Sequence, residues 1–260
     1  LISRNTDDHP VAILVVSPRY QCNMATSLQD ILFIDIETVP ALPDYGLLSD
    51  SMKRLWSRKA ARIRPSPAEN DEHLYNTRAG IYAEFGKVVA IGAGRFENDE
   101  DGFPGFSSRV FGEYDEYSLL RSFRQFLLNI DSVNLRLCAH NGKEFDFPYL
   151  CRRMIINGLP LPPVLDTSGR KPWEVGHIDT MEYWKFGDHK QYTSLELLAE
   201  ILGLPPCKSG MDGSMVRSVY YEEGDLDRIV RYCTSDVRTL AEVYLRLRGI
   251  KRPERAKIMD

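Results

Sequence analysis

The fold is decided by Ile31-Leu32-Phe33-Ile34-Asp35-Ile36-Glu37, a short apolar run that continues into two spaced carboxylates. Apolar runs of this length are typical of buried strands, and the acids and Pro40 that follow predict that Asp35 and Glu37 lie at the strand's end. Residues two apart on a strand point to the same face, so both carboxylates can reach one site. About one D-x-E is expected by chance in a chain of this length, so the motif needs support from other motifs.

Strands and helices alternate along the middle of the chain. Hydrophobic patterns predict strands at 87–96, 107–111 and 135–139, and an amphipathic helix at 117–130. We therefore expect an α/β fold in which a mixed β-sheet is flanked by α-helices.

The last third of the chain is predicted to be helical. Thr193 and Glu196 form a capping box, which predicts a helix at 195–202. The last long helix begins after Asp225, and its apolar residues recur at helical spacing. Asp236 lies on that helix.

Composition restricts the classes of protein that this chain can belong to. The proportions of 43% hydrophobic and 27% charged residues are those of an ordinary globular domain. No apolar run approaches the roughly 20 residues that cross a bilayer, so we expect no membrane segment. The five cysteines include no C-x-x-C pair, which favours a reducing cytoplasm over a disulfide framework or a zinc site. With a net charge of −4, binding to a polyanion must depend on local basic residues or on bound metal.

A second motif, Asn141-Gly142-Lys143-Glu144-Phe145-Asp146, directly follows the predicted strand at 135–139. Its N-x-x-x-F-D pattern should occur by chance in only about one chain in 50. Junctions between a strand and a helix are also where sheet proteins place ligands. The structural alternative is that Asn141 caps a turn and Asp146 caps the following helix, although a capping aspartate can still bind a metal.

A third motif is Tyr232-Cys233-Thr234-Ser235-Asp236, on the predicted last helix. A spacing of four on a helix places the phenol and the carboxylate on one face. Taken alone, the two would be interpreted as an ordinary surface pair. Tyr221 and Asp225 have the same spacing, but they straddle a helix start, so we interpret Asp225 as an N-cap.

In this order, the three motifs resemble those of the DEDD exonucleases of the ribonuclease H-like fold: D-x-E, N-x-x-x-F-D and Y-x-x-x-D. The proofreading domain of family B DNA polymerases is more similar still, because residues 145–150 match its F-D-x-P-Y-L pattern. The resemblance covers residues 29–250, which we expect to form one exonuclease domain. Residues 1–28 are then an extension without an assigned role, and residues 251–260 are a tail. Since no polymerase domain follows, the chain resembles the predicted stand-alone bacterial relatives of that domain.

The resemblance implies a two-metal-ion active site. Asp35 would bridge two Mg²⁺ or Mn²⁺ ions, with Glu37 and Asp236 completing the shell of the first ion and Asp146 holding the second. Carboxylates clustered in this way stay ionised because the cations offset their repulsion.

The resemblance also implies a role for Tyr232. A phenol with a pKa near 10 is a poor base at pH 7, so we expect it to orient the attacking water or the scissile phosphate. Arg231 occupies the position at which the other DEDD branch has a histidine, which favours the tyrosine branch.

Substrate contacts are predicted at three residues of the second motif: Asn141, Lys143, which would touch phosphate, and Phe145, which would stack on a terminal base or belong to the core. The basic segment from Lys53 to Arg64, with Trp56 inside it, would guide a strand or form a solvated helix face. His177 and Asp179 have no role that the sequence indicates.

These motifs predict a metal-dependent 3′–5′ exonuclease that degrades single-stranded DNA. Two alternatives stay open. The same chemistry suits an RNA-trimming exonuclease, because the carboxylates contact phosphate and not the sugar. An inactive nucleic-acid-binding module is disfavoured, because binding alone does not need all five of Asp35, Glu37, Asp146, Tyr232 and Asp236.

Overall fold

The computed structural model describes residues 27–66, 68–98, 104–130, 132–171, 174–188, 192–205 and 210–251. Nearly all of the predicted extension and tail, 1–26 and 252–260, lies outside this part of the chain. Five strands form one sheet in the order β3-β2-β1-β4-β5. Their bounds are β1 Ile31–Pro40, β2 Gly86–Asn98, β3 Pro104–Gly112, β4 Arg136–Ala139 and β5 Ile178–Asp179.

β2 runs antiparallel to both β1 and β3, whereas β4 runs parallel to β1 and β5 runs parallel to β4. The predicted mixed sheet is therefore confirmed. The helices are α1 Asp50–Ile63, α2 Asp71–Arg78, α3 Glu116–Leu128, α4 Asp146–Ile156, α5 Thr180–Lys185, α6 Leu195–Ile201, α7 Val216–Ser218 and α8 Leu226–Leu247. A π-helical turn, Val219–Glu223, connects the last two. Among the described helices, none has the length and apolar character that a membrane span requires.

The two faces of β1 contact different helices. Leu32, Ile34 and Ile36 pack in the cluster that also contains residues of α3 and α4. Ile31 and Phe33 point the other way and pack against α8. Because side chains alternate along a strand, Asp35 and Glu37 continue the face of Phe33 and point toward α8.

The predicted position of Asp35 and Glu37 at the end of a strand is wrong. β1 continues to Pro40, and β2 pairs with it along this length, with a bulge between Glu37 and Thr38. The pairing with β4 stops at Phe33 and Cys138. Both carboxylates therefore lie on a part of β1 that pairs with β2 along one edge and is beyond the pairing with β4 along the other.

The basic segment forms α1, a helix with exposed basic residues. Trp56 has no exposed surface and packs against Tyr75 and Phe85, and its indole donates a 2.8 Å hydrogen bond to the carbonyl of Asp71. The prediction that Trp56 contributes to guiding a strand is therefore wrong, because a ring in the core cannot stack on a base.

The predicted capping box at Thr193 is also wrong by one residue. The N-cap of α6 is Ser194, whose hydroxyl accepts a hydrogen bond from the backbone N–H of Leu197 at 3.2 Å. The carbonyl of Thr193 is instead 2.7 Å from the Nε2 atom of His140. This hydrogen bond to His140, the residue after β4, holds Thr193 outside the helix.

Replacement of the observed cap should destabilise the protein more than replacement of the predicted one. We expect Ser194→Ala to lower the free energy of unfolding by about 1 kcal/mol, because a backbone N–H loses its acceptor. Thr193→Ala should change it by less than half of that. Thermal denaturation of both variants measures the difference, and equal losses would contradict the assignment.

Candidate active site

Asp35, Glu37 and Cys233 form the centre of the candidate site. One ligand atom from each, two carboxylate oxygens and a sulfur, lie within 4.8 Å of one another. The thiol of Cys233 is 3.7 Å from Oδ2 of Asp35 and 3.6 Å from its carbonyl oxygen. The strand β1 and the helix α8 therefore meet at the two predicted carboxylates.

A glycine of β2 permits this close approach of α8. Gly92 is the cross-strand partner of Asp35. A Cβ atom at this position would lie 2.5 Å from Cγ2 of Val237 and 3.1 Å from Sγ of Cys233. Both distances are shorter than ordinary van der Waals contact, so only glycine leaves room for α8 beside Asp35.

Tyr232 and Asp236 extend from α8 toward the same pocket. The phenol and the carboxylate are hydrogen-bonded to each other, as the spacing of four residues on a helix allows. Both line a cleft of about 390 Å³ together with Asp35 and Asp146. The structure therefore brings the third motif to the first.

Asp146 is the first residue of α4 and lies almost completely buried at the open side of β1. Its carboxylate accepts a hydrogen bond from the backbone N–H of Ile36, the residue between Asp35 and Glu37. Phe145 precedes the helix, and no side chain caps its N-terminus. The alternative in which Asp146 serves as the helix cap is therefore wrong.

A buried aspartate to which the sequence assigned no role holds the loop before α4. Asp179 accepts hydrogen bonds from the backbone N–H groups of Asn141 at 2.9 Å and Lys143 at 3.1 Å, and from that of Met181 at 2.9 Å. Asn141 adopts a left-handed backbone conformation with φ of 63°, which asparagine tolerates better than most residues. Asp179 thereby orients the loop that positions Asp146.

The three residues predicted to contact substrate lie in different surroundings. Phe145 lines the cleft and packs against Tyr149. Lys143 forms a 2.7 Å ion pair with Glu182 of α5, and neither Lys143 nor Asn141 lines the cleft. Of the three, only Phe145 is placed beside the carboxylates.

The electrostatics of the carboxylates indicate a site built for cations. Burial raises the pKa of Asp35 well above its usual value, and repulsion by Glu37, Asp236 and Asp146 raises it further. Burial raises the pKa of Glu37 in the same way, and it raises the pKa of Asp146 to about 7. Since unpaired buried anions are costly, oxygen donors clustered in this way fit hard divalent ions such as Mg²⁺ or Mn²⁺.

Tyr232 stays protonated at neutral pH. Burial raises the pKa of its phenol, and the charges of Asp236, Glu37 and Asp35 raise it further. The hydroxyl is therefore a hydrogen-bond donor and not a base.

Another part of the cleft wall is formed by α6 and the residues that precede α7. It contains Glu196, Glu200 and Asp212, and the exposed ring of Tyr192 lies beside them. No lysine or arginine of the described residues lines the cleft, so basic side chains of the lining cannot be what attracts an anionic substrate.

The sequence profile of a family of predicted 3′–5′ exonucleases related to the exonuclease domain of PolB matches residues 81–253. This range is more than half of the chain and contains Asp146, Tyr232 and Asp236, whereas Asp35 and Glu37 lie before it. The chain belongs to this family. Nuclease chemistry on a nucleic acid is the activity predicted for its members.

A family B DNA polymerase from the hyperthermophilic archaeon Pyrobaculum calidifontis has a similar fold, with a TM-score of 0.50 and 18% sequence identity. The similarity covers 83% of this chain and 24% of the polymerase. The expected ribonuclease H-like fold and the resemblance to the proofreading domain are thereby confirmed. No curated protein matches the chain.

The stability of the metal-free protein should fall as Asp146 ionises. Its folded pKa of about 7 lies above the unfolded value of about 3.9. The folded state therefore binds protons more tightly, and this stabilisation is complete below about pH 4 and is lost as pH rises through about 7.

Asp146→Asn cannot lose this proton, so its melting temperature relative to wild type should increase from pH 4 to pH 8 without metal. The corresponding difference in the free energy of unfolding should reach up to about 4 kcal/mol. Mn²⁺ should raise the melting temperature of wild type more than that of the variant. A difference that does not depend on pH would contradict the assignment.

The contact between Gly92 and α8 predicts a specific loss of metal binding. Gly92→Ala should weaken Mn²⁺ binding roughly tenfold, because the added Cβ pushes α8 away from Asp35. Val237→Ala removes the atom that would clash and should restore most of the affinity in the double variant. Electron paramagnetic resonance of free Mn²⁺ measures the affinity.

Gly105→Ala is the matched control, because a Cβ there meets only the carbonyl oxygen of Glu97, at 3.9 Å. Equal Mn²⁺ affinities of Gly92→Ala and Gly105→Ala would show that the distance between α8 and β2 does not determine metal binding.

Proposed function

We propose that the protein is a metal-dependent 3′–5′ exonuclease that releases nucleotides from the 3′ end of single-stranded DNA with two divalent ions. One observation carries the proposal. Three carboxylates, Asp35, Asp146 and Asp236, line one cleft with the hydrogen-bonded Tyr232, and the buried Glu37 lies beside Asp35. DNA is favoured over RNA because the similar structure belongs to a DNA polymerase.

In this proposal the carboxylates divide the binding of the ions between them. Asp35 is repelled by all three of Glu37, Asp236 and Asp146, a central position that suits a bridging ligand. Glu37 and Asp236 would complete one ion's shell, and Asp146 would hold the other. When bound, the ions would supply Lewis-acid stabilisation of the phosphate and a lower pKa for the attacking water.

The other residues of the cleft position the substrate. Tyr232, a donor whose present acceptor is Asp236, would orient the attacking water or the scissile phosphate. Phe145 lines the same cleft and would contact the terminal base. A cleft of about 390 Å³ has room for one terminal nucleotide, which agrees with cleavage at an end.

Free cysteines agree with a cytoplasmic location, which we also propose. Cys138, Cys151 and Cys233 form no disulfide among the described residues. The thiol of Cys233 contacts Asp35, so its oxidation to a bulkier group would disturb the site.

The decisive experiment compares single strands of DNA and RNA of the same sequence, labelled at the 5′ end, with Mg²⁺ or Mn²⁺. We expect a ladder of shortened, labelled DNA and slower degradation of RNA. Asp35→Ala should lower the rate by at least roughly 10³-fold.

Tyr232→Phe should lower the rate less, by roughly 10- to 100-fold, because it removes only an orienting hydrogen bond. Tyr221→Phe is its matched control. Tyr221 has the same spacing to Asp225, but its hydroxyl donates to the carbonyl of Pro40 at 2.6 Å, and Asp225 caps α8. Tight binding without shortening would favour the binding module, and faster loss of RNA would favour RNA trimming.

A further inference from the structure

A second cleft lies away from the carboxylates, between α1 and the C-terminal end of α4. Its volume is about 640 Å³. We name it the α1–α4 groove, and it is lined by Met52, Leu55, Arg58, Lys59, Arg62, Glu84, Phe85, Arg153 and Ile156. Leu55 is 49% exposed and Ile156 is 54% exposed, although a folded protein gains by burying such side chains. Exposed apolar residues that cluster with a polar rim mark interaction surfaces.

The rim of the groove is basic. Arg58 and Arg62 are exposed, lie one turn apart on α1, and make no ion pair within the part of the chain that the structure describes. Lys59 lies 4.0 Å from the centre of the Tyr82 ring. Arg153 is neutralised by Glu116, which leaves Glu84 as the opposing charge of the lining.

We propose that the α1–α4 groove binds an acidic amphipathic helix of a partner protein. The partner's apolar stripe would cover Leu55, Ile156 and Met52, and its carboxylates would face Arg58 and Arg62. Helices that dock in this way present apolar residues at positions i, i+3, i+4 and i+7. Arginine and methionine are also enriched at protein interfaces.

Single-stranded nucleic acid suits the lining less well. Bases stack on exposed aromatic rings, but Phe85 is the aromatic residue of the lining and is buried. Its other apolar side chains are aliphatic. A second copy of this chain is also disfavoured, because a two-fold interface would bring Arg58 and Arg62 of both copies together.

The test uses a designed, fluorescein-labelled helical peptide of roughly 18 residues, with leucines in one stripe and glutamates elsewhere. A peptide of the same composition with scattered leucines tests the stripe. A peptide with lysine in place of glutamate tests the charge. We expect micromolar binding of the first peptide only, with hydrogen-exchange protection at residues 52–62 and 153–156.

Charge reversal on the rim should weaken binding of this peptide. Arg58→Glu and Arg62→Glu should each cost roughly tenfold in affinity. Arg54→Glu is the matched control, because Arg54 is exposed on the same helix but does not line the groove. Leu55→Ala should also weaken binding, since it removes part of the apolar surface.

Four outcomes would overturn the proposal: no binding of the striped peptide, equal binding of the scattered one, an equal loss in Arg54→Glu, or displacement by a single-stranded oligonucleotide. Dimerisation that Arg58→Glu abolishes would also overturn it, in favour of a second copy. Surface substitutions of this kind should leave the fold intact, which circular dichroism melting checks.

Discussion

The contact between α8 and the sheet is the constraint on which the rest of the site depends. Helices usually pack about 10 Å from a sheet because side chains fill the space between them. Glycines at 92, 94 and 112 remove those side chains along the line that α8 follows, where a Cβ would meet Val237 or Val230 within 2.9 Å. The sheet loses stability at each glycine, and in return α8 comes close enough for its polar residues to reach β1.

The second constraint is the repulsion among the carboxylates that this packing creates. Burial and mutual charge raise the pKa values of Asp35, Glu37 and Asp146 in the metal-free protein. Fixed hydrogen bonds keep part of the cluster in place: Ile36 donates to Asp146, and Asp179 holds the loop before it. The protein therefore stores an unfavourable electrostatic arrangement that bound divalent cations would relieve, as is typical of preorganised sites.

Local patterns predicted the fold class, and the structure places residues of the three predicted motifs near one another. Hydrophobic periodicity reports structure that is set within a few residues of the chain. It therefore indicated the strand from Ile31 to Ile34, the strand before Asn141 and the apolar stripe of α8. Gly92 and Asp179 were not predicted to matter. A glycine in a strand indicates only a weak strand, and Asp179 lies on a two-residue strand that has no periodicity. Both act through partners distant in sequence.

The same distinction explains the error at Trp56. Closeness in sequence between basic residues and a tryptophan does not place them on one surface, because a helix turns successive residues to different sides. Packing places Trp56 in the core, while Arg58 stays exposed. The exposed arginines of α1 therefore have no aromatic ring beside them in the groove lining on which a base could stack. Their exposed apolar neighbour in that lining is the aliphatic Leu55.

The helix α4 connects the two candidate surfaces. Its first residue is Asp146 and its last is Ile156, so its rise of about 1.5 Å per residue separates them by roughly 15 Å. A partner helix in the α1–α4 groove would therefore leave the acidic cleft open to a terminal nucleotide. Because the cleft is acidic until cations bind, it selects against the acidic helix that the basic rim of the groove attracts.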